Sequence, residues 1–150
     1  MRLWHWKLLP YLPKTQILAQ WRELNSIFKK QDKHILINYI YEYDYIDLYC
    51  YTLRVRNELD DRKIRHNDTK MLSYFEQWLN ETTDGEIMCF ILSNKSLFQN
   101  HHTNRYLVQC FYNLQEKYDR GQKDFDKETY IKLEMAVESI CGLEVCNYDT

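Results

Sequence analysis

Residues 14–30 of the chain, KTQILAQWRELNSIFKK, carry apolar side chains at the spacing of an α-helix. The apolar positions are Ile17, Leu18, Trp21, Leu24 and Phe28. Side chains three or four positions apart lie on one face of a helix, so this stripe is expected to face a core. Proline suits the first helical position, where its missing N–H costs nothing, and Pro13 precedes the stripe. We therefore predict an amphipathic helix over about residues 14–30.

The same periodicity predicts further helices on the C-terminal side. Their predicted bounds are about 46–63, 69 to before Gly85, 106 to before Gly121, and about 127–141, with Asp68 and Asp126 as candidate N-caps. Two segments stay open: the Tyr-rich residues 38–45 fit a strand, an irregular segment or a helix, and the apolar run 87–92 has no decisive period. The sequence predicts an all-α fold, a single compact domain of four to six helices over residues 1–150.

The composition supports this fold class and excludes several others. A chain of 150 residues with 45% hydrophobic residues can bury one core. Three Gly and two Pro are too few for the many tight turns of a β-sandwich or barrel. Five irregularly spaced Cys indicate reduced thiols rather than a disulfide framework. No uncharged stretch could cross a bilayer and no secretory signal core is visible, so we expect a cytoplasmic protein.

The charge of the chain is unevenly distributed. Residues 1–35 carry seven Lys and Arg against two acids, a balance of +5, whereas the remainder carries −7 and the whole chain −2. The basic side chains of this segment are Arg2, Lys7, Lys14, Arg22, Lys29, Lys30 and Lys33. One basic end on an acidic molecule favours binding of a polyanion, although ordinary scatter of surface charge is the alternative.

Glu23 is one candidate for chemistry. On a helical projection it lies away from the apolar stripe, between Ala19, Ser26 and Lys30. An isolated glutamate on an outward face is ordinarily a solvated side chain. The small neighbours, however, leave room for a ligand to approach this carboxylate.

The α-amine of Met1 is a second candidate. Initiator Met is normally trimmed only before a small residue, and Arg2 is bulky, so we expect Met1 to be retained. α-Amines in general have a pKa of about 7.7–8.0, against about 10.4 for lysine, and are the more available nucleophiles at neutral pH. Chain termini are often frayed, but this one leads into a run of large apolar residues and is expected to be tied down.

Metal and phosphate-loop chemistry find little support. His101 and His102 are adjacent, and the sequence contains no Cys-x-x-Cys or His-x-x-x-His spacing. Three isolated Gly cannot form a Gly-rich phosphate loop. We therefore expect neither a metal site nor a cofactor.

Several motifs resemble the pyrimidine-dimer DNA glycosylase family, of the phage endonuclease V type, including its small bacterial and phage members. The first segments that carry the resemblance are Met1–His5, Leu12-Pro13, Gln16, Ala19–Leu24, Phe28 and Lys33-His34. The resemblance continues in the second long helix at Tyr49, Glu58-Leu59 and Arg62, and further on at Asn104–Leu107, Cys110 and Asn113-Leu114. The match is good over residues 1 to about 65 and patchy beyond.

The resemblance implies a cofactor-free helical enzyme that acts on DNA. In it, the α-amine of Met1 would attack C1′ of the damaged nucleotide, and Glu23 would assist proton transfer during base loss and β-elimination. The family's best-known members expose Thr at a processed N-terminus, whereas this chain would present Met1. Phosphates would be held by Arg2, Arg22, Lys30, Lys33 and His34, and Lys7 of the same basic segment completes the predicted DNA contacts.

We thus expect a monomeric base-excision glycosylase with AP-lyase activity on damaged or modified pyrimidines in duplex DNA. One alternative is a non-catalytic module of the same fold that binds distorted DNA or a protein partner. Another is a nuclease that works by hydrolysis without a metal. The three differ in the ends they leave on DNA and in their dependence on Glu23.

Overall fold

The computed structural model describes residues 1–93 and 96–142. Its α-helices are α1 (Lys14–Lys30), α2 (Tyr45–Asp61), α3 (Thr69–Glu81), α4 (Asp84–Leu92), α5 (Asn104–Asp119) and α6 (Lys127–Cys141). Two 3₁₀ helices cover Trp6–Tyr11 and Asn38–Glu42. The described residues form no strand. The predicted all-α single domain is confirmed, and the Tyr-rich segment is a 3₁₀ helix rather than a strand.

The helix ends follow the local sequence closely. The Asp126 carboxylate accepts the Thr129 N–H at 2.7 Å and caps α6, and Gly142 ends that helix at φ +64°. This left-handed conformation carries no steric penalty in glycine. Two end positions differ from expectation: Pro13 is the N-cap of α1 rather than its first residue, and the Asp68 side chain does not cap α3.

The predicted apolar stripe of α1 forms the centre of the core. Ile17 and Leu24 are fully buried, and Trp21 and Phe28 nearly so, where α1 packs on α2 and α3. The N-terminal segment adds a second layer, because its 3₁₀ helix packs on α2 and α6. The buried side chains of that segment are Leu3, Trp4, Leu8, Leu9 and Leu12. The core therefore includes the very start of the chain, which fixes where the terminus lies.

The apolar run 87–92, whose type the sequence leaves open, belongs to α4. A capping box at Thr83 and Glu86 starts this helix, with the Thr83 hydroxyl accepting the Glu86 N–H at 3.1 Å. None of its residues is buried, and Met88, Ile91 and Leu92 are exposed. Local capping, rather than one apolar face, explains why this segment is helical.

Two further observations concern the chemistry of the chain. No helix within the described residues is long and apolar enough to span a membrane.

Cys50 and Cys110 are buried free thiols, Cys141 is partly buried and Cys89 is exposed, whereas Cys146 lies outside the described residues. Burial raises the pKa of the Cys50 thiol to about 11, so it stays protonated at neutral pH.

Leu24→Ala tests the central position of α1 in the core. Removing a fully buried leucine side chain should lower the free energy of unfolding by about 2–5 kcal/mol. Urea unfolding followed by circular dichroism measures this change. The matched control is Leu72→Ala on α3, whose side chain is 53% exposed and whose loss should cost less than about 0.5 kcal/mol. Equal effects at the two sites would contradict this core.

Candidate active site and nucleic-acid interface

The first residues of the chain are held by buried hydrogen bonds. The Trp4 N–H donates to Gln20 Oε1 at 2.9 Å, and the Tyr51 hydroxyl donates to the Trp4 carbonyl at 2.7 Å. The Tyr106 hydroxyl donates to the Leu3 carbonyl. Side chains from α1, α2 and α5 thus bind one short stretch of backbone. The expectation that the terminus is tied down is confirmed.

Two buried histidines attach the same segment to the start of α5. His5 Nδ1 accepts the Lys7 N–H at 3.1 Å, so its proton is on Nε2, which donates to the His102 carbonyl at 2.9 Å. His102 Nδ1 accepts the Trp6 N–H at 3.3 Å, and its Nε2 donates to the Tyr39 hydroxyl at 2.7 Å. Burial lowers the pKa of His5 to about 4 and that of His102 to about 2, so both rings are neutral.

Glu23 lies half-buried beside the chain terminus. The Gln20 Nε2 donates to Glu23 Oε2 at 3.2 Å, and the Arg2 N–H also donates to this carboxylate. Burial raises the pKa of Glu23, and this effect outweighs the opposing influence of the Arg2 N–H, the charge of the Met1 amine and the Arg22 guanidinium. The carboxylate is therefore neither solvated on an outward face nor fully enclosed.

The Met1 amine and the Glu23 carboxylate are thus close enough to interact electrostatically. Met1 itself is 38% exposed, so a large molecule can reach the terminus. A free amine next to a carboxyl group whose pKa is raised can perform nucleophilic attack assisted by proton transfer. The amine and the carboxylate are the same two groups that the sequence predicted as candidates for chemistry.

A basic groove of about 780 Å³ lies between α1 and the start of α3 and includes Arg22, whose charge acts on Glu23. Its cations are Arg22, Lys29, Lys30 and Lys70. The remaining lining residues are Trp21, Asn25, Ser26, His66, Asn67 and Thr69, and neither Asp nor Glu is among them. Cations and amide or hydroxyl donors without a carboxylate suit a row of phosphates. We refer to this feature as the basic groove.

The predicted DNA contacts lie in four places. Arg22 and Lys30 line the basic groove, whereas Lys33 and His34 are exposed beyond the end of α1 and do not. Arg2 and Lys7 lie in two further places. The guanidinium of Arg2 lies 5.8 Å from the centre of the Trp4 ring and bonds to the Cys110 thiol. The Lys7 ammonium lies 5.4 Å from the Trp6 ring, in a separate cleft with Arg54.

Three features of the site were missed by the sequence analysis. Lys29 lies two helical turns after Arg22 and one turn after Ser26, so the period of α1 alone could have added it to the groove. Lys70 reaches the groove only because α3 packs on α1. Gln20 gave no signal, because a polar residue next to an apolar stripe looks solvent-exposed until the N-terminal segment covers it.

His66 fixes one wall of the basic groove. Its Nε2 lies 2.6 Å from Asp60 and its Nδ1 2.8 Å from Asp68, and its ring packs edge-on against Trp21 at 5.3 Å. Burial disfavours the charged imidazole, but the hydrogen bonds and charges of Asp60 and Asp68 outweigh it and raise the pKa of His66. The ring therefore joins the end of α2 to the start of α3 through its contacts with Asp60 and Asp68.

No group of three or more His, Cys, Asp or Glu side chains that could hold a metal ion occurs within residues 1–93 and 96–142.

The contacts of His66 with Asp60 and Asp68, which we call the His66 clamp, are tested by the pH dependence of the effect of His66→Gln. Because the pKa is raised on folding, the stabilisation by His66 is fully present below about pH 6.5 and is lost as the pH rises through the folded-state pKa. The substitution should cost about 1 kcal/mol at pH 6 and less at pH 9, measured by urea unfolding. The control is His34→Gln at an exposed position, where little change is expected at either pH. A larger cost at pH 9 would refute the clamp.

Comparison with known proteins supports the DNA assignment of this region. The family model of pyrimidine dimer DNA glycosylases matches residues 1–72. No curated protein and no solved structure matches the chain. The matched residues include Met1, Gln20, Glu23 and every residue that lines the basic groove. Residues 1–72, which hold the candidate site, are therefore similar to the pyrimidine dimer DNA glycosylase family.

Proposed function

We propose that this chain is a base-excision DNA glycosylase with AP-lyase activity on damaged or modified pyrimidines in duplex DNA. The observation that carries the proposal is the anchored terminus, whose amine lies within electrostatic reach of the half-buried Glu23. The basic groove, which shares Arg22 with the surroundings of Glu23, supplies the phosphate contacts. The family match over residues 1–72 supports the choice of substrate class.

In the proposed reaction the unprotonated Met1 amine attacks C1′ of the damaged nucleotide. The bond from C1′ to the base breaks, the base leaves with the electron pair and takes up a proton, and the sugar ring opens to an imine between amine and C1′. A proton is then removed from C2′, the C3′–O bond breaks and the 3′ phosphate leaves with that electron pair. Water hydrolyses the imine and restores the free amine.

Glu23 is the proposed proton carrier in these steps. A carboxyl group whose pKa is raised by burial exchanges protons more readily near neutral pH than a fully solvated one. The charges of the amine and Arg22 act against burial and favour the ionised carboxylate. Glu23 can therefore act as base for the C2′ proton and as acid for the opening sugar.

The basic groove is the proposed binding site of the DNA backbone. Its four cations lie on two helices, so they can contact phosphates on either side of an extruded nucleotide. Arg22 lines the groove and its charge also acts on Glu23, so this residue links the groove to the proposed reacting pair.

Glu23→Gln tests the catalytic assignment directly. Strand cleavage of a duplex with one abasic site should fall by about 10²–10⁴-fold, because the amide cannot carry the proton, while DNA affinity stays within about threefold. The matched control is Glu76→Gln at an exposed position of α3, which should cleave like the wild type. Product ends are analysed on a gel in the same experiment.

The possible outcomes separate the proposed enzyme from its alternatives. An unsaturated sugar at the 3′ end supports β-elimination, whereas a 3′-hydroxyl would indicate a hydrolytic nuclease and contradict the lyase. Binding without cleavage by the wild type would indicate a non-catalytic module. Full cleavage by Glu23→Gln would remove Glu23 from the mechanism.

Lys29→Ala combined with Lys70→Ala tests the basic groove. Each phosphate contact contributes about 0.9 to the slope of log K against log salt concentration, so the double variant should reduce this slope by about two. Fluorescence anisotropy of labelled duplex DNA between low and moderate salt measures the slope. The control is Lys123→Ala with Lys127→Ala, two exposed lysines beyond the groove, which should leave the slope unchanged. Equal slopes for all three proteins would exclude the groove as the DNA contact.

A further inference from the structure

Gln20 occupies an unusual position for a polar side chain. It lies on α1 one turn before Glu23 and is completely buried. A buried amide is costly unless its polar atoms find partners. Those partners all lie in the N-terminal segment, on α2 and at Glu23, so the amide sits at the junction between the core and the candidate site.

The hydrogen bonds determine which way the amide of Gln20 points. One of its terminal atoms lies 2.9 Å from the Trp4 N–H, and the other lies 3.2 Å from the Arg2 carbonyl. The first must accept and the second must donate, so the first is Oε1 and the opposite orientation is excluded. The Tyr51 hydroxyl also lies 2.9 Å from Oε1 and shares its single hydrogen between this oxygen and the Trp4 carbonyl. The NH₂ group must therefore face the terminus and Glu23.

Both hydrogens of the Gln20 NH₂ group are donated on the side that faces the terminus and Glu23. It donates to the Arg2 carbonyl at 3.2 Å and to Glu23 Oε2 at 3.2 Å. Both donor hydrogens of the amide therefore have partners, and its oxygen accepts the Trp4 N–H. One rigid group thus binds the backbone next to Met1 and one oxygen of the Glu23 carboxylate.

We propose that Gln20 is a positioning residue that holds the Met1 amine and the Glu23 carboxylate in their reactive arrangement. This inference rests on the proposed function and adds a residue to it. Gln20 does not touch the reacting atoms; it acts through the Arg2 carbonyl and Glu23 Oε2. Reacting groups need to be held closely, since a displacement of about 1 Å can cost about a hundredfold in rate.

The charged and polar groups around Glu23 determine how a substitution at Gln20 changes the ionisation of the Glu23 carboxyl group. The Met1 amine and Arg22 act on the carboxylate by charge, the Arg2 N–H by a hydrogen bond, and the buried Tyr51 hydroxyl lies behind Gln20. The Gln20 NH₂ favours the ionised carboxylate. Gln20→Glu replaces this donor by an oxygen of nearly the same size, so a second carboxyl group would disfavour ionisation of Glu23.

The test compares wild type, Gln20→Met, Gln20→Glu and a control, Thr52→Val. The Thr52 side chain is also fully buried and donates one hydrogen bond, to the Leu48 carbonyl at 2.7 Å, but it does not contact the site. Single-turnover cleavage of a duplex with one abasic site is measured from pH 4.5 to pH 9. DNA affinity and urea unfolding are recorded for each protein.

We expect Gln20→Met to lose at least about tenfold in single-turnover rate with DNA affinity within about threefold. Gln20→Glu should move the acid limb of its pH profile upward by about one unit, because Glu23 then loses its proton at higher pH. Thr52→Val should keep the wild-type rate and pH profile even if it unfolds at lower urea.

Wild-type rates and pH profiles in both Gln20 variants would overturn the positioning role while leaving the proposed function intact. A loss in Thr52→Val as large as that in Gln20→Met would also overturn it, because the effect would then follow stability alone. If Gln20→Met does not fold, the near-isosteric Gln20→Glu carries the test through its pH profile. No cleavage by the wild type would instead contradict the proposed function itself.

Discussion

The hydrogen bonds of one buried amide, Gln20, connect the N-terminal segment to α1 and α2. They bind the Trp4 N–H and the Arg2 carbonyl, so the N-terminal segment lies across α1 instead of projecting into solvent. The apolar side chains of that segment then enter the core, and its backbone receives hydroxyl groups from Tyr51 and Tyr106. Without these bonds, Glu23 would be an ordinary surface glutamate on α1. The position of the terminus and the environment of Glu23 therefore have the same physical cause.

Much of the fold follows from the sequence because its long helices carry clear apolar periods and caps. α1 has the predicted bounds, α6 begins after the predicted cap Asp126, and the ends of α2 and α5 differ from expectation by about two residues. The short segments were less predictable. α4 is helical although its apolar residues form no single face, and the 3₁₀ helix at Asn38–Glu42 depends on contacts of its aromatic side chains, such as Tyr39 with Phe98 and His102.

The candidate site could be predicted only in part. Sequence reasoning identified the Met1 amine, Glu23 and the basic character of α1, because these depend on residue type and helical spacing. The meeting of amine and carboxylate depends on bonds from Gln20 that join residues 16 and 18 positions apart. The charge of a side chain also does not determine which surface it faces. Lys7 packs on Trp6 and Arg2 packs on Trp4. Lys29 and Lys70 instead line the basic groove.

The central claim is that the α-amine of Met1 forms the covalent link to DNA, and peptide mapping of the trapped complex tests it most directly. The protein, with its terminus verified by intact mass, is mixed with a duplex that contains one abasic site and is reduced with borohydride. Mass spectrometry of the digested adduct should find the added sugar on the N-terminal peptide, and a sample with a blocked terminus should form no adduct. An adduct on a lysine, or the same adduct after blocking, would contradict the account.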